Sequence, residues 1–437
     1  MSTITWISGG QVIDPKNDRD SIGDIYAVDG KIVPYLSDKE KKQAQIINAK
    51  GLIVCPGFVD IHTHLCEPGD THRESIQTGT WAAAAGGFTS VICMPNANQP
   101  SDNPGTIQQI NDAVKRDALV NVFPAGALTM GMKGEELAPA GSLQKSGIVA
   151  ITDSYRSVEN NEIMRRAVEY ANMFNLVVMD HCQDQTLTEG SVMNEGIWSL
   201  RLGLRGWPSA AEDIIVSRNV ILSTYTGAHI HLQQISTSNA VEIIRRAKQR
   251  NVNISAEVTP HHLHLSDERV KNYDTNFKTN PPLRTPNDQE ALVEGLLDGT
   301  LDCISTGHMP CTDYEKNVEY DQAPFGVIGL ETSLSICLSV LVHNRQCHVS
   351  KLIKLLTCNP SNLLNLDKGT LSPGADADIT LFDPNEEWVV NPDEFQSRSR
   401  NSPWIGKTLR GKVKQTFVSG QKVWDGDHVI LPGNDYT

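Results

Sequence analysis

The sequence predicts a (β/α)8 barrel joined to a small β domain built from both chain ends. Three observations lead there. Eight short apolar segments alternate with helical stretches over roughly 250 residues in the middle of the chain. Polar clusters fall at the C-terminal ends of many of those segments, the ends that converge on one pocket when strands close into a barrel. Short strands with tight turns occupy both termini. An open doubly wound sheet is the competing architecture. It explains the polar clusters less well, and no GxGxxG follows a strand and no GxxxxGK[ST] occurs, so a dinucleotide or P-loop site has no support.

Residues 1–56 form the first part of the β domain. Strands are expected over 4–11, 25–28 and 31–33, with Asp29-Gly30 as the hairpin turn between the last two and Asp14-Pro15-Lys16-Asn17 as a second turn. The barrel spans 57–368. Its strands are expected over 59–64, 88–94, 122–128, 148–152, 176–181, 229–235, 254–259 and 303–306. Helices are expected over 74–85, 106–115, 159–173, 210–222, 238–249 and 288–297. Residues 369–437 return to short strands at 378–382, 413–418 and 422–424, which complete the β domain.

A chain of 437 residues with 39% hydrophobic and 21% charged residues has the composition of an ordinary globular protein with a sizeable core. The net charge of −14, without a long Lys/Arg run, argues against nucleic acid or an anionic membrane as partner. Nine scattered cysteines without a CxxC pair read as reduced thiols, which points to the cytoplasm. The first residues lack the basic and apolar regions of a signal peptide, and no stretch approaches 18 apolar residues.

Chemistry is concentrated in Val59-Asp60-Ile61-His62-Thr63-His64-Leu65. Residues two apart on a strand share a face, so His62 and His64 present both imidazoles to one point where they can share a metal ion. The pair alone is a moderate signal, because two histidines also occur on an ordinary polar strand face.

The wider set of motifs resembles the dihydroorotase family of the amidohydrolase superfamily. Those motifs are Gly57-Phe58-Val59-Asp60-Ile61-His62-Thr63-His64, Glu67-Pro68-Gly69, Gly86-Gly87-Phe88-Thr89, Met94-Pro95-Asn96, Asp180-His181-Cys182, Ala256-Glu257-Val258-Thr259-Pro260-His261-His262, Asn280-Pro281-Pro282-Leu283-Arg284 and Gly326-Val327-Ile328-Gly329-Leu330-Glu331. The resemblance covers nearly the whole chain. It implies interconversion of carbamoyl aspartate and dihydroorotate, with zinc polarising the ring carbonyl and generating hydroxide near neutral pH. It also implies that His62, His64 and His181 are metal ligands and that Asn96 binds substrate.

Other positions depart from the family's pattern. The substrate-binding Arg is Cys66, which cannot make a guanidinium's bidentate grip on a carboxylate. The bridging carboxylate falls on Ser154, with Asp153 one place away and so on the opposite strand face. The fourth histidine is Gln234, and the catalytic aspartate is Gly307. His229, His231, His261, His262 and His264 read as packed or hydrogen-bonded residues, and Cys66 or Cys311 as remote candidates for a thiolate ligand.

These departures lead to the expectation of a catalytically inactive homologue, with no catalytic residue at position 307. It would serve as an oligomeric structural or assembly subunit for aspartate transcarbamoylase in pyrimidine biosynthesis. His62, His64 and His181 would remain as a residual metal set, with zinc below the family's full complement. The alternative is a metal-dependent cyclic amidohydrolase, acting on dihydroorotate, a hydantoin or allantoin, with a rebuilt site in which Asp153, His308 or Asp313 carries the proton.

Overall fold

A computed structural model describes residues 3–431 apart from residue 97. The chain opens with β1 (Ile4–Asp14), β2 (Arg19–Val28), β3 (Lys31–Val33), β4 (Gln45–Asn48) and β5 (Ile53–Pro56). The barrel strands follow as β6 (Phe58–Thr63), β7 (Phe88–Cys93), β8 (Asn121–Gly126), β9 (Ala150–Ile151) and β10 (Val177–His181). A short parallel pair, β11 (Met193–Asn194) and β12 (Gly206–Trp207), interrupts them. The barrel resumes with β13 (Ile230–Gln233), β14 (Ile254–Val258) and β15 (Cys303–Ile304). The chain then returns to the first sheet with β16 (Ile379–Val389), β17 (Thr408–Val418) and β18 (Gln421–Trp424).

The barrel strands lie in the order β15-β14-β13-β10-β9-β8-β7-β6, all parallel. The ring is nearly closed beyond β15. Thr63 bridges His308, and the His64 N–H donates to the His308 carbonyl at 2.9 Å. Beneath that bridge Asp60 clasps both strands. It accepts from Thr63 Oγ1 at 2.6 Å and from the Thr306 N–H at 3.0 Å, and also from Thr306 Oγ1. The (β/α)8 expectation is met, with the polar strand ends gathered at one mouth.

The outer helices have the amphipathic spacing that packs them on the barrel. Asn161–Asn172 buries Met164, Ala167, Val168 and Ala171, and Ser238–Gln249 buries Ala240, Val241, Ile244 and Ala247. Each starts on a side-chain cap, Asn160 accepting from the Glu162 and Ile163 N–H groups and Thr237 from that of Ala240.

The second sheet joins both ends of the chain in the order β18-β17-β16-β5-β1-β2-β3, with β4 on β1. The apolar run at 53–58 is therefore divided by Pro56-Gly57, its first half serving this sheet and its second half the barrel. β1 and β2 run longer than the sequence suggests. Asp24 stabilises the polar stretch by accepting from the Trp6 indole and the Gly9 N–H, each at 2.9 Å. Among the described residues no helix is long and apolar enough to cross a membrane.

Candidate active site

His62 is the next-to-last residue of the barrel's first strand and His64 lies just beyond it. Their rings share one face, with centroids 5.6 Å apart, and the His64 ring also lies 6.1 Å from that of Tyr155. His181 closes β10. Its Nε2–H donates to Asn280 Oδ1 at 2.9 Å, while its Nδ1 is buried without a partner. Burial brings His181 down to about 4 and, with the neighbouring imidazoles adding to it, holds His64 far below the usual histidine range. Asp180 anchors the strand beneath His181. It accepts from Arg218 and Asn219, each at 2.7 Å, and from Ser157. A cleft of about 930 Å³ opens beside the mouth, with Tyr155, Gln183 and Asn280 in its wall, a volume in the range of small-molecule pockets.

Below the mouth lies a buried network that sequence reasoning missed. Glu257, fully buried on β14, faces two imidazoles. Its Oε1 is 2.7 Å from His62 Nδ1 and its Oε2 is 3.2 Å from His231 Nε2. Burial pushes this carboxyl up, but the imidazoles outweigh it and bring it down to about 2. Ser255 Oγ lies 2.8 Å from His231 Nδ1 and 2.7 Å from His229 Nε2. The signal was present in the sequence: Ser255 and Glu257 alternate onto one face of their strand, as His229 and His231 do on theirs. His229 and His231 are thus hydrogen-bonded polar residues, as the sequence suggested.

The four positions that the sequence reading set apart share a backbone feature. Cys66, Ser154, Gln234 and Gly307 all have positive φ, at 57°, 58°, 50° and 59°. Non-glycine residues seldom adopt this conformation, and it clusters where a fold aims side chains into a site. Ser154 Oγ is buried without a partner. Asp153 turns away, as the strand alternation required: its carboxylate accepts from the N–H groups of Leu128 and Thr129 and from Thr129 Oγ1.

The other two proposed proton carriers are also committed or remote. His308 Nδ1 accepts from the Gly329 N–H and its Nε2–H donates to Glu74, while Asp313 is exposed at the start of the Asp313–Lys316 helix. Asn96 donates to the Cys66 and Pro68 carbonyls and so fastens the loop at the mouth. Burial raises the Cys66 and Cys311 thiols, so neither is a thiolate without a cation beside it. His262 is hydrogen-bonded to Thr259 and to the Pro281 carbonyl, and His264 packs edge-on against Trp404.

At Gly307 the space of a side chain is already taken. A Cβ there would sit 2.6 Å from Gln234 Nε2, 3.0 Å from Thr259 Cγ2 and 3.4 Å from His261 Cε1. Gly307→Asp alone is therefore expected to cost about 1–2 kcal/mol through the positive φ and the crowding. Gln234→Ala removes the nearest obstacle, so the double variant should recover at least about 0.5 kcal/mol of that loss. Urea unfolding of the four members of the cycle measures it, and strict additivity would mean that Gln234 is not the obstacle.

The residue types at the mouth fit a cation. Two imidazoles share a strand face, and His181 Nδ1 is a buried lone pair with no other use. The three rings do not close on one point in this arrangement. Among the described residues, the group of three donors within 4.8 Å of one another is His231, Glu257 and Cys303, deeper in the bore.

Comparison with known proteins places this geometry in context. A family model described as "Dihydro-orotase-like" matches residues 51–240. A protein of Acetivibrio thermocellus named Dihydroorotase is 47% identical over 417 residues, covering 95% of this chain and 98% of its own length. One of the same name from Pelotomaculum thermopropionicum is 46% identical over 424 residues, covering 97% and 99%. The solved structure of an L-hydantoinase (dihydropyrimidinase) from Arthrobacter aurescens superposes with a TM-score of 0.88 at 21% identity, covering 99% of this chain and 98% of that one. The relatives named Dihydroorotase overturn the expectation of an inactive assembly subunit. Full-length similarity at this level to proteins of that name outweighs the reading of four positions in one pocket.

Proposed function

The chain belongs to the dihydroorotase family, and on that premise we propose that it is a metal-dependent hydrolase of a cyclic amide, with dihydroorotate as the substrate to test first. The observation that carries this reading is the 43–47% identity, over 95–97% of the chain, to several proteins named Dihydroorotase. His62, His64 and His181 would hold the metal. When bound, it would supply Lewis acidity at the ring carbonyl and a hydroxide near neutral pH.

The chain's own residues do the rest. Asn280 orients His181 through its Nε2–H, and Glu257 orients His62 through its Nδ1–H. Asn96 fastens the 66–69 loop against the mouth. No carboxylate stands at position 307, so general acid–base help worth about 10²–10⁴ in rate is missing there. Turnover is accordingly expected to be slow. The test is dihydroorotate hydrolysis by the purified chain at high concentration after zinc loading. Ring opening that is lost in His62→Ala supports the reading, and no turnover by the zinc-loaded chain overturns it.

A further inference from the structure

We infer that Glu257, a residue outside the metal-binding trio, is the positioning residue that fixes the tautomer of His62 and turns its Nε2 lone pair toward the barrel mouth. The inference deepens the metal-dependent reading and rests on it for its functional meaning. Its structural basis is independent of that reading.

One contact and two rules of imidazole chemistry carry it. A carboxylate oxygen only accepts, so a nitrogen 2.7 Å from Glu257 Oε1 must carry the proton. In a neutral His62, Nδ1–H leaves the lone pair on Nε2, the form in which imidazole ligates a cation. A carboxylate behind a ligating imidazole is a general device for holding the ring in that form.

The carboxylate is itself held from behind. His231 Nε2–H donates to Oε2 at 3.2 Å, and the same argument leaves His231 Nδ1 to accept from Ser255 Oγ at 2.8 Å. Ser255 Oγ in turn accepts from His229 Nε2–H at 2.7 Å. With neutral imidazoles every hydrogen bond of this column runs toward Glu257, so the column has one arrangement.

The column is also rigid. His231 pairs with Ser255 and Glu257 with Cys303 across adjacent parallel strands. His62, His231 and Glu257 are all 2% exposed or less. A cation among His231, Glu257 and Cys303 would use the same groups. It would have to take Glu257 from both imidazoles and ionise a thiol that burial holds far above its usual range.

The test uses the full chain with two readouts. Long-range ¹H–¹⁵N spectra of histidine-labelled, metal-free protein report each tautomer, with His62→Asn assigning the resonance. Competition against a chromophoric chelator reports zinc affinity. His62 is expected as the Nδ1–H form. Glu257→Leu should abolish that preference and weaken zinc by about 10–100-fold, with Glu257→Gln, which keeps one acceptor oxygen, intermediate. A His62 that already populates the Nε2–H form in the native chain overturns the inference. So does a folded Glu257→Leu that keeps both tautomer and affinity. If the native chain takes up no zinc, the metal-dependent reading fails, and the native tautomer alone decides the role of Glu257. If Glu257→Leu does not fold, the native spectrum and Glu257→Gln decide it.

Discussion

Asp60→Ala is expected to cost the fold about 3–5 kcal/mol and to open the barrel at its closing seam. Asp60 is fully buried and accepts from four donors: the His62 and Thr306 N–H groups and the hydroxyls of Thr63 and Thr306. Each is out of water's reach once the carboxylate is removed, and an unsatisfied buried donor costs about 1–3 kcal/mol. Burial raises this carboxyl above its ordinary value, and the four donors oppose that rise without cancelling it. The strands they join are the first and last of the barrel, and the main-chain link above them is the bridge between Thr63 and His308. A whole-barrel loss of about 4 kcal/mol is a large fraction of the 5–15 kcal/mol that holds most domains folded. Urea unfolding of Asp60→Ala and Asp60→Asn measures it. Asn keeps one accepting oxygen and should lose roughly half as much. Native-state hydrogen exchange should show the Thr306 amide losing protection first. A cost below about 1 kcal/mol, within the range of a surface change, would mean that the seam is held elsewhere.

Periodicity carried most of the fold. The eight barrel strands were legible because parallel strands covered on both faces are continuous apolar runs, and the helices because their buried positions recur at three and four residues. β4 was missed because only Ile47 of its four residues is buried, so no apolar run announced it. β9 shrank to two residues because Thr152 and Asp153 bend the strand end into side-chain hydrogen bonds. At the site, the HxH pair and His181 were legible from local pattern. For Glu257 the sequence offered only the strand face it shares with Ser255, because its partners are 195 and 26 residues away in sequence and only the register of the strands brings them together. The inference of inactivity weighed positions 66, 154, 234 and 307 one by one, and the 43–47% identity to proteins named Dihydroorotase overturned it. Positions 234 and 307 are neighbours that share one volume, with Gln234 Nε2 in the space a side chain at 307 would need.

Acid is expected to unfold the chain through its buried histidines, and single substitutions isolate the effect. His262 and His229 are each brought down to about 4, burial being the main cause. For a histidine whose folded value lies below its unfolded one, near 6.5, the unfolded chain takes up the proton first. Stability is therefore unaffected above that value and falls as the pH drops from about 6.5 toward 4. At pH 5 each such histidine removes about 2 kcal/mol, since one pKa unit corresponds to about 1.4 kcal/mol. Two carboxyls act in the opposite sense. Burial raises Glu331 to about 7 and Asp153 to about 6, so the folded state takes up their protons first and gains stability as the pH falls through those values. The net curve mixes both signs, and the discriminating quantity is the change a variant makes in it. His262 is held neutral by geometry: its Nδ1 accepts from Thr259 Oγ1 at 2.7 Å and its Nε2–H donates to the Pro281 carbonyl at 3.1 Å. A second ring proton would face the Thr259 hydroxyl donor. His262→Gln keeps a polar group there without a titration, so the difference in unfolding free energy between pH 7 and pH 5 should shrink by about 2 kcal/mol. His229→Gln should shrink it by a similar amount, and the two should add, because Ser255 binds one and Thr259 the other. Guanidinium unfolding at the two pH values measures all four proteins. An unchanged difference in His262→Gln would show that this imidazole protonates normally inside the fold.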